Sequence, residues 1–146
     1  MAVQLTVLRA TQEIGGNCIE LRASSGDRIF LDVGRPLLAG NDQRDLLPAT
    51  VNRSIPARAV LISHPHQDHY GLLNELPPDW PVHCGKATEQ LIRMTCAITG
   101  GVPGQSFHTW VSGQSFAVGS FTITPYLTDH SAFDAHMLLI EVEGKR

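Results

Sequence analysis

Long apolar runs are absent from this sequence of 146 residues. No stretch approaches the ~20 apolar residues that a membrane-spanning helix needs. Gln4, Arg9 and Gln12 interrupt the region where a signal peptide would have its apolar core. We find neither an internal repeat nor a low-complexity tract. These absences favour a chain that works in the cytoplasm.

Cysteine is scarce as well. Cys18, Cys84 and Cys96 are odd in number and show no CxxC spacing, which argues against a disulfide framework and against a zinc ribbon. Cys18 and Cys84 lie in strand-like runs, so we interpret them as small buried hydrophobic residues. A reducing cytoplasm is again the expected compartment.

Positive charge is not in excess. The formal net charge is -3, so the composition does not predict a basic surface for nucleic acid, although a local groove stays open. Residues 35–58 place arginine beside aspartate, which we interpret as a solvated mixed-charge surface in preference to an anion site. The residues concerned are Arg35, Arg44, Arg53, Arg58, Asp42 and Asp45.

The composition that remains predicts one compact domain over residues 1–146. Hydrophobic residues make up 42% and charged residues 17% of the chain, as in globular proteins. Strand-like residues 3–8, 18–22 and 28–34 are joined by short turns rich in glycine. They predict an antiparallel meander.

The rest of the chain predicts a mixed pattern. Residues 35–58 carry three prolines and are predicted as loop with at most one helical turn. AVLIS, residues 59–63, is apolar on both faces and predicts a central strand covered on two sides. Further predicted elements are a short helical segment at 72–76, a flexible glycine loop at 100–104, and strands at 81–84, 115–118, 121–127 and 137–143.

The clearest helix prediction is 86–98. Ala87, Leu91, Met94 and Ile98 recur there at helical spacing.

The segment HPHQDH, residues 64–69, follows the predicted central strand and concentrates metal-ligand side chains. On an extended segment His64 and His66 share one side, Asp68 continues that spacing, and His69 turns away. Packing alone gives no reason for such crowding, whereas bound cations do. Imidazole and carboxylate suit zinc, and also manganese or iron. Two pairs of ligands predict two ions, ~3.5–4 Å apart with a bridging hydroxide nucleophile.

The pattern HxHxDHxG resembles the signature of the metallo-β-lactamase superfamily, whose members are metal-dependent hydrolases with an αββα sandwich. Gly15-Gly16-Asn17 resembles the family's early turn, and Asp32 in LDVG resembles the aspartate that supports its metal site. TDHSAFDAHMLLIE, residues 128–141, resembles the third motif. The resemblance covers the whole chain. It implies an α/β (α+β) fold with a largely antiparallel or mixed sheet and flanking helices.

The resemblance also implies the ligands: His64, His66 and His130 for the first ion, and Asp68 and His69 for the second. It implies two divalent cofactor ions, zinc or alternatively manganese, and it makes Asp68 and His66 the expected catalytic residues. Asp32 would orient a ligand without touching the metal. The family pattern does not claim His83, His108 or His136, for which we expect structural roles.

Two further pieces of the family pattern are not found before residue 146, namely a bridging aspartate and a distal histidine. The chain therefore resembles the N-terminal half of the sandwich. Either it is part of a longer enzyme, which we favour, or it is a half that pairs with something. In both cases we expect an exposed apolar sheet face and self-association, for example as a dimer.

Thr128-Asp129-His130-Ser131 resembles the nuclease branch of the superfamily, which includes ribonuclease J and the β-CASP enzymes. The following Phe133-Asp134-Ala135 departs from that branch. The resemblance implies a phosphodiesterase or ribonuclease that uses a metal-bound hydroxide on RNA. A thioesterase or lactonase, and a catalytically inactive interaction module, are the alternatives. From the 146 residues alone we expect little catalysis.

Overall fold

The computed structural model describes residues 2–40, 42–99, 101 and 103–146. Its strands are β1 (Gln4–Arg9), β2 (Cys18–Arg22), β3 (Arg28–Val33), β4 (Ala59–Leu61), β5 (Val82–Gly85), β6 (Phe107–Trp110), β7 (Phe116–Val118), β8 (Phe121–Leu127) and β9 (His136–Glu141). Its helices are α1 (Gln67–Tyr70), α2 (Lys86–Thr99) and a short 3-10 turn (Leu73–Glu75).

The strands form two sheets. The larger has six strands in the order β1-β2-β3-β4-β5-β6, and the smaller has the order β7-β8-β9. Strands β1 to β3 pair antiparallel, which confirms the predicted meander, whereas β3 to β6 are parallel. The carboxyl ends of parallel strands meet at one sheet edge, and this is the edge from which the HPHQDH segment leaves β4.

Strand β4 is buried on both faces, as its apolar sequence predicts. Val60 and Ile62 belong to the core under the helices, which also contains Trp80 and Ile92. Ala59 and Leu61 belong to the core between the two sheets. The sequence AVLI therefore fixes β4 in the centre of the molecule.

The second sheet covers part of the face that we expected to be exposed. Phe121 and Ile123 of β8 pack into the same core as Leu21 and Ile29 of the large sheet. The two-residue turn at Gly119 and Ser120 joins β7 to β8 as expected, because Val118 pairs with Phe121. The described chain is thus a layered mixed sheet with flanking helices.

Helix α2 forms where it is predicted, and the residues that it buries are not those whose spacing predicted it. Its buried residues are Thr88, Ile92 and Cys96, whereas Met94 is 56% and Ile98 79% exposed. The sequence carries two overlapping stripes at helical spacing, and contact with the sheet selects the more polar one. That choice depends on tertiary packing and cannot be predicted from periodicity alone.

The sequence predicts loops at residues 35–58 and 100–104. The described part of residues 35–58 contains turns and no helix. Within the predicted flexible loop at 100–104, Gly100 and Val102 lie outside the described residues. Gly101 and Pro103 border a cavity described below.

Candidate active site

Asp32 lies on a β-bulge at the end of β3. Cys18 pairs with Val33 and Ile19 pairs with Leu31, so Asp32 has no partner on β2. Its φ of 55° lies in the left-handed region, which aspartate tolerates better than most residues. A bulge redirects the side chain of the extra residue, and here it turns the carboxylate toward the end of β4.

The Asp32 carboxylate organises two neighbours there. Oδ1 accepts a hydrogen bond from the Ser63 backbone N–H at 2.8 Å, and Oδ2 accepts one from Ser63 Oγ at 2.9 Å. Oδ2 also accepts from His69 Nδ1 at 2.7 Å. Because an ionised carboxylate only accepts, neutral His69 carries its proton on Nδ1 and its lone pair on Nε2.

The hydroxyl group of Ser63 in turn determines which nitrogen of His64 carries the proton. The serine hydroxyl has one hydrogen, which it donates to Asp32, so His64 Nδ1 at 2.9 Å donates to Ser63 Oγ. The Nε2 of a neutral His64 is then an acceptor. His64 is 4% exposed, and its Nε2 is buried with no hydrogen-bond partner. Leaving such a group unpaired is costly, and a metal ion is a partner of suitable chemistry.

Three further imidazoles surround His64. Its ring centroid lies 4.8 Å from that of His66, 3.8 Å from His69 and 4.8 Å from His130. The structure thus brings together the four histidines that the sequence predicts as ligands. The rings are not oriented as ligands of one metal ion. Among the described residues, no three His, Cys, Asp or Glu side chains are arranged to hold a metal ion.

The geometry of Asp68 differs from our prediction. We expected it to continue an extended spacing, but His66 is the extended N-cap and Asp68 lies on α1. The extended reasoning is therefore wrong beyond His66, because the chain turns into a helix at Gln67. The helix still places Asp68 Oδ2 3.6 Å from His69 Nε2, so the carboxylate lies beside the histidine cluster.

Burial and neighbouring charges move the pKa values of His64 and His69 in opposite directions. The pKa of His64 is lowered to about 4, mainly by burial and also by the neighbouring His69, His66 and His130, against the opposing effect of Asp32. Burial also lowers the pKa of His69. The hydrogen bond to Asp32 and the charges of Asp32 and Asp68 outweigh that effect, so its pKa is raised overall.

The turn at Gly15-Gly16-Asn17 packs against α1. The Asn17 backbone N–H donates to Asp68 O at 3.1 Å, and Asn17 Nδ2 lies 3.3 Å from both ring nitrogens of His69. Gly34 lies at the same crossing, because a Cβ there would be 1.6 Å from Asp68 O. The sequence identified the turn and the LDVG motif, but it did not reveal that Asn17 and Ser63 contact the histidines.

A cavity of about 900 Å³ opens beside Asp68. Its lining is mostly polar and includes Arg35, Gln67, Asp68, Tyr70, Asn74 and Thr99. Arg35 Nη2 donates to Gly40 O at 2.5 Å and to Gln43 O at 3.2 Å, so its guanidinium is held at the cavity. The arrangement provides a polar cleft bordered by Asp68, the carboxylate that lies beside the histidine cluster.

The other predicted structural histidines lie outside the cluster. The ring of His83 stacks on His108 at 4.8 Å and on Phe116 at 5.2 Å between the two sheets. Burial lowers the pKa of His83 to about 4, with a smaller contribution from His108. His136 lies against Trp110 at 5.6 Å.

The fold and the motif now define the class of protein. Residues 27–140 match the beta-lactamase superfamily domain, and the chain belongs to that superfamily, as its motifs predict.

None of the helices in the described ranges has the length and apolarity of a membrane span.

Individual relatives are more distant. The chain is 31% identical over 98 residues to the transcription termination factor FttA of Methanothermobacter thermautotrophicus, covering 62% of this chain and 15% of that protein. It is similar in structure to a protein of unknown function from Enterococcus faecalis V583, with a TM-score of 0.81 and 21% identity, over 98% of this chain and 41% of the other.

Two further solved structures have the same fold. The metallo-beta-lactamase fold protein YhfI of Bacillus subtilis matches with a TM-score of 0.67 and 18% identity, over 97% of this chain and 59% of that one. A diphosphatase of the PhnP family matches with a TM-score of 0.67 and 14% identity, over 96% and 62%. The chain therefore spans less than two thirds of each of these relatives.

Proposed function

We propose that this chain forms the metal-binding part of a hydrolase that cleaves phosphodiesters, with RNA as the substrate class. Membership of a hydrolytic superfamily supports hydrolysis in general. The observation that carries the metal proposal is the buried Nε2 of His64, which has no partner at the centre of a four-histidine cluster.

The residues present suit divalent metal ions. His64, His66 and His130 would hold one ion, and Asp68 and His69 a second. Zinc is the proposed metal and manganese the alternative. Binding requires the rings to turn from their present orientations. When bound, such ions act as Lewis acids and lower the pKa of coordinated water.

The chain's own groups prepare this chemistry. Asp32 and Ser63 fix the tautomers of His69 and His64, so that each neutral ring carries its lone pair on Nε2. Asp68 is proposed to orient the attacking water as well as to bind metal, and His66 to complete the catalytic set. The cavity beside Asp68 would hold the substrate, with Arg35 near a phosphate oxygen.

The substrate class has two supports. The chain resembles a transcription termination factor in sequence and a diphosphatase in fold, and Thr128-Asp129-His130-Ser131 resembles the nuclease branch. The test compares turnover of a single-stranded RNA, a nitrophenyl phosphodiester and an acyl thioester by the zinc-loaded protein. We expect cleavage of the first two, at the low rate anticipated for these 146 residues alone. Turnover of the thioester alone would contradict the proposal, and His66→Ala should abolish any activity that His108→Ala retains.

Two of our other expectations remain proposals. We propose a reducing cytoplasm, supported by Cys18, Cys84 and Cys96, which are free and buried. We also propose self-association, supported by the exposed apolar side chains of Leu127 and Met137 on the second sheet. A monodisperse monomer in light scattering over a wide concentration range would contradict it.

A further inference from the structure

The loop between β8 and β9 carries His130 and has to bring it back to His64. One attachment lies at the end of the loop, where the His136 backbone N–H donates to Ser63 O at 3.0 Å. This bond ties the start of β9 to the residue before His64. A single attachment leaves the five residues between His130 and His136 to be fixed by something else.

Asp134 supplies the second attachment. Its Oδ2 accepts a hydrogen bond from the Thr88 backbone N–H at 2.8 Å, and its carbonyl accepts from Thr88 Oγ1 at 3.3 Å. Thr88 is the third residue of α2 and is fully buried. The first N–H groups of a helix have no acceptor within the helix, so Asp134 caps α2 from a distant part of the chain.

The surroundings are shaped to admit this carboxylate. A Cβ on Gly85 would lie 2.1 Å from Asp134 Oδ2, so only glycine at the end of β5 leaves room for it. Asp134 has a φ of 64°, and its carbonyl also accepts from His136 Nδ1 at 2.8 Å. Strand β5, helix α2 and strand β9 therefore meet at one side chain.

We propose that Asp134 is a positioning residue, which fixes the His130 loop on α2 so that His130 is held beside His64. The inference deepens the proposed function, since it assigns to Asp134 the preorganisation of the first metal site. Nothing in the motif comparison predicted this role, because the Phe133-Asp134-Ala135 segment departs from the nuclease-branch pattern.

The experiment uses the 146-residue chain with Asp134→Ala, Asp134→Asn and Gly85→Ala. Glu89→Ala is the matched control, because Glu89 lies on the first turn of α2 and pairs only with the exposed Arg93 in the described structure. Zinc affinity is measured by competition with a chromophoric chelator, at a temperature where urea titration shows every variant to be folded. We expect about a 10- to 100-fold loss for Asp134→Ala and Gly85→Ala.

Asp134→Asn should recover most of the affinity, because an amide oxygen still accepts from the Thr88 N–H. Glu89→Ala should leave affinity unchanged. A merely structural role would lower stability without changing the zinc affinity of the folded protein, and unchanged affinity in Asp134→Ala would overturn the proposal.

A metal-free readout separates this inference from the proposed function. The nuclear Overhauser effect between the His64 and His130 ring protons should be present in the wild type and in Glu89→Ala, and lost in Asp134→Ala. If the wild type binds no zinc, the metal proposal fails, and this ring contact still decides the role of Asp134. Persistence of the contact in Asp134→Ala would overturn that role.

Discussion

Asp32 Oδ2 accepts a hydrogen bond from His69 Nδ1 at 2.7 Å, although Asp32 lies at the end of β3 and His69 on helix α1. The contact exists because the bulge in β3 turns Asp32 out of the strand pairing. It fixes which nitrogen of His69 can face a cation. In the proposed metal site, Asp32 therefore acts on the metal through a ligand and not directly.

Replacing Asp32 tests this relationship. Asp32→Ala removes the acceptor for His69 and for Ser63, so we expect zinc affinity to fall about 10- to 100-fold. Asp27→Ala is the control. Asp27 is, like Asp32, a hydrogen-bonded carboxylate, with Ser120 and Arg58 as its donors, but it lies far from the cluster in the fold. Equal zinc affinity of both variants in chelator competition would contradict the role of Asp32.

Gly34 should tolerate no side chain. A Cβ there would lie 1.6 Å from the carbonyl oxygen of Asp68, so Gly34→Ala must push α1 away from β3. We expect the free energy of unfolding to fall by about 1–3 kcal/mol or more, together with zinc affinity. Gly40→Ala meets no atom within 4 Å and should change neither quantity in urea titration and chelator competition.

The sequence predicts which histidines the fold brings together better than it predicts the contacts that hold them. The motif with its resemblance led to His64, His66, His69 and His130, which the fold brings together. The bulge at Asp32 could not be predicted, because it depends on how β3 pairs with β2. Asn17 and Ser63 were missed for the same reason. The histidine next to Asn17 is distant from it in sequence, and the contact of Ser63 with the neighbouring histidine is set by the distant Asp32.

Helix α2 shows the same limit in the fold. Its position follows from periodicity, yet contact with the sheet buries Thr88 and Cys96 in place of Met94 and Ile98. The N-terminus of α2 is capped by Asp134, a residue 46 positions away from Thr88. Local sequence carries no signal for such a contact.

The ionisation of His83 makes stability depend on pH. Its pKa in the fold is lowered to about 4 from an ordinary 6.5, so between these values the unfolded chain binds more protons than the folded one. The free energy of unfolding should therefore fall as pH drops from 6.5 toward 4. His83→Phe keeps a ring on Phe116 and cannot charge, so it should lose less stability between pH 7 and pH 5.

Urea titrations of the two proteins at both pH values measure this difference. His64 has a similarly lowered pKa, and its contribution is common to the wild type and His83→Phe. An identical loss of stability in the two proteins would show that His83 is not the group that titrates.

Arg28 is a second buried group with a structural task. Its guanidinium is fully buried and donates to Glu20 at 3.2 Å, to Asn52 O at 2.5 Å and to Ile55 O. Arg28→Met leaves two carbonyls without their donor and leaves Glu20 with Arg22 as its remaining cationic partner. We therefore expect a loss of about 3–5 kcal/mol in the free energy of unfolding.

Arg22→Met is the control for that change. Arg22 pairs with the same Glu20 at 2.8 Å, but its side chain is 40% exposed, and the expected cost is below about 1 kcal/mol. Similar losses for both variants in urea titration would contradict the assigned importance of burial at Arg28.

The most direct test of the central claim is the number of metal ions per chain. Elemental analysis of protein purified without added metal should find one or two divalent ions per wild-type chain, with zinc foremost. His66→Ala should lose them, and His108→Ala should keep them. Absence of metal from the wild type, together with no uptake on adding zinc, would contradict the assignment of His64, His66, His69, His130 and Asp68 as a metal site.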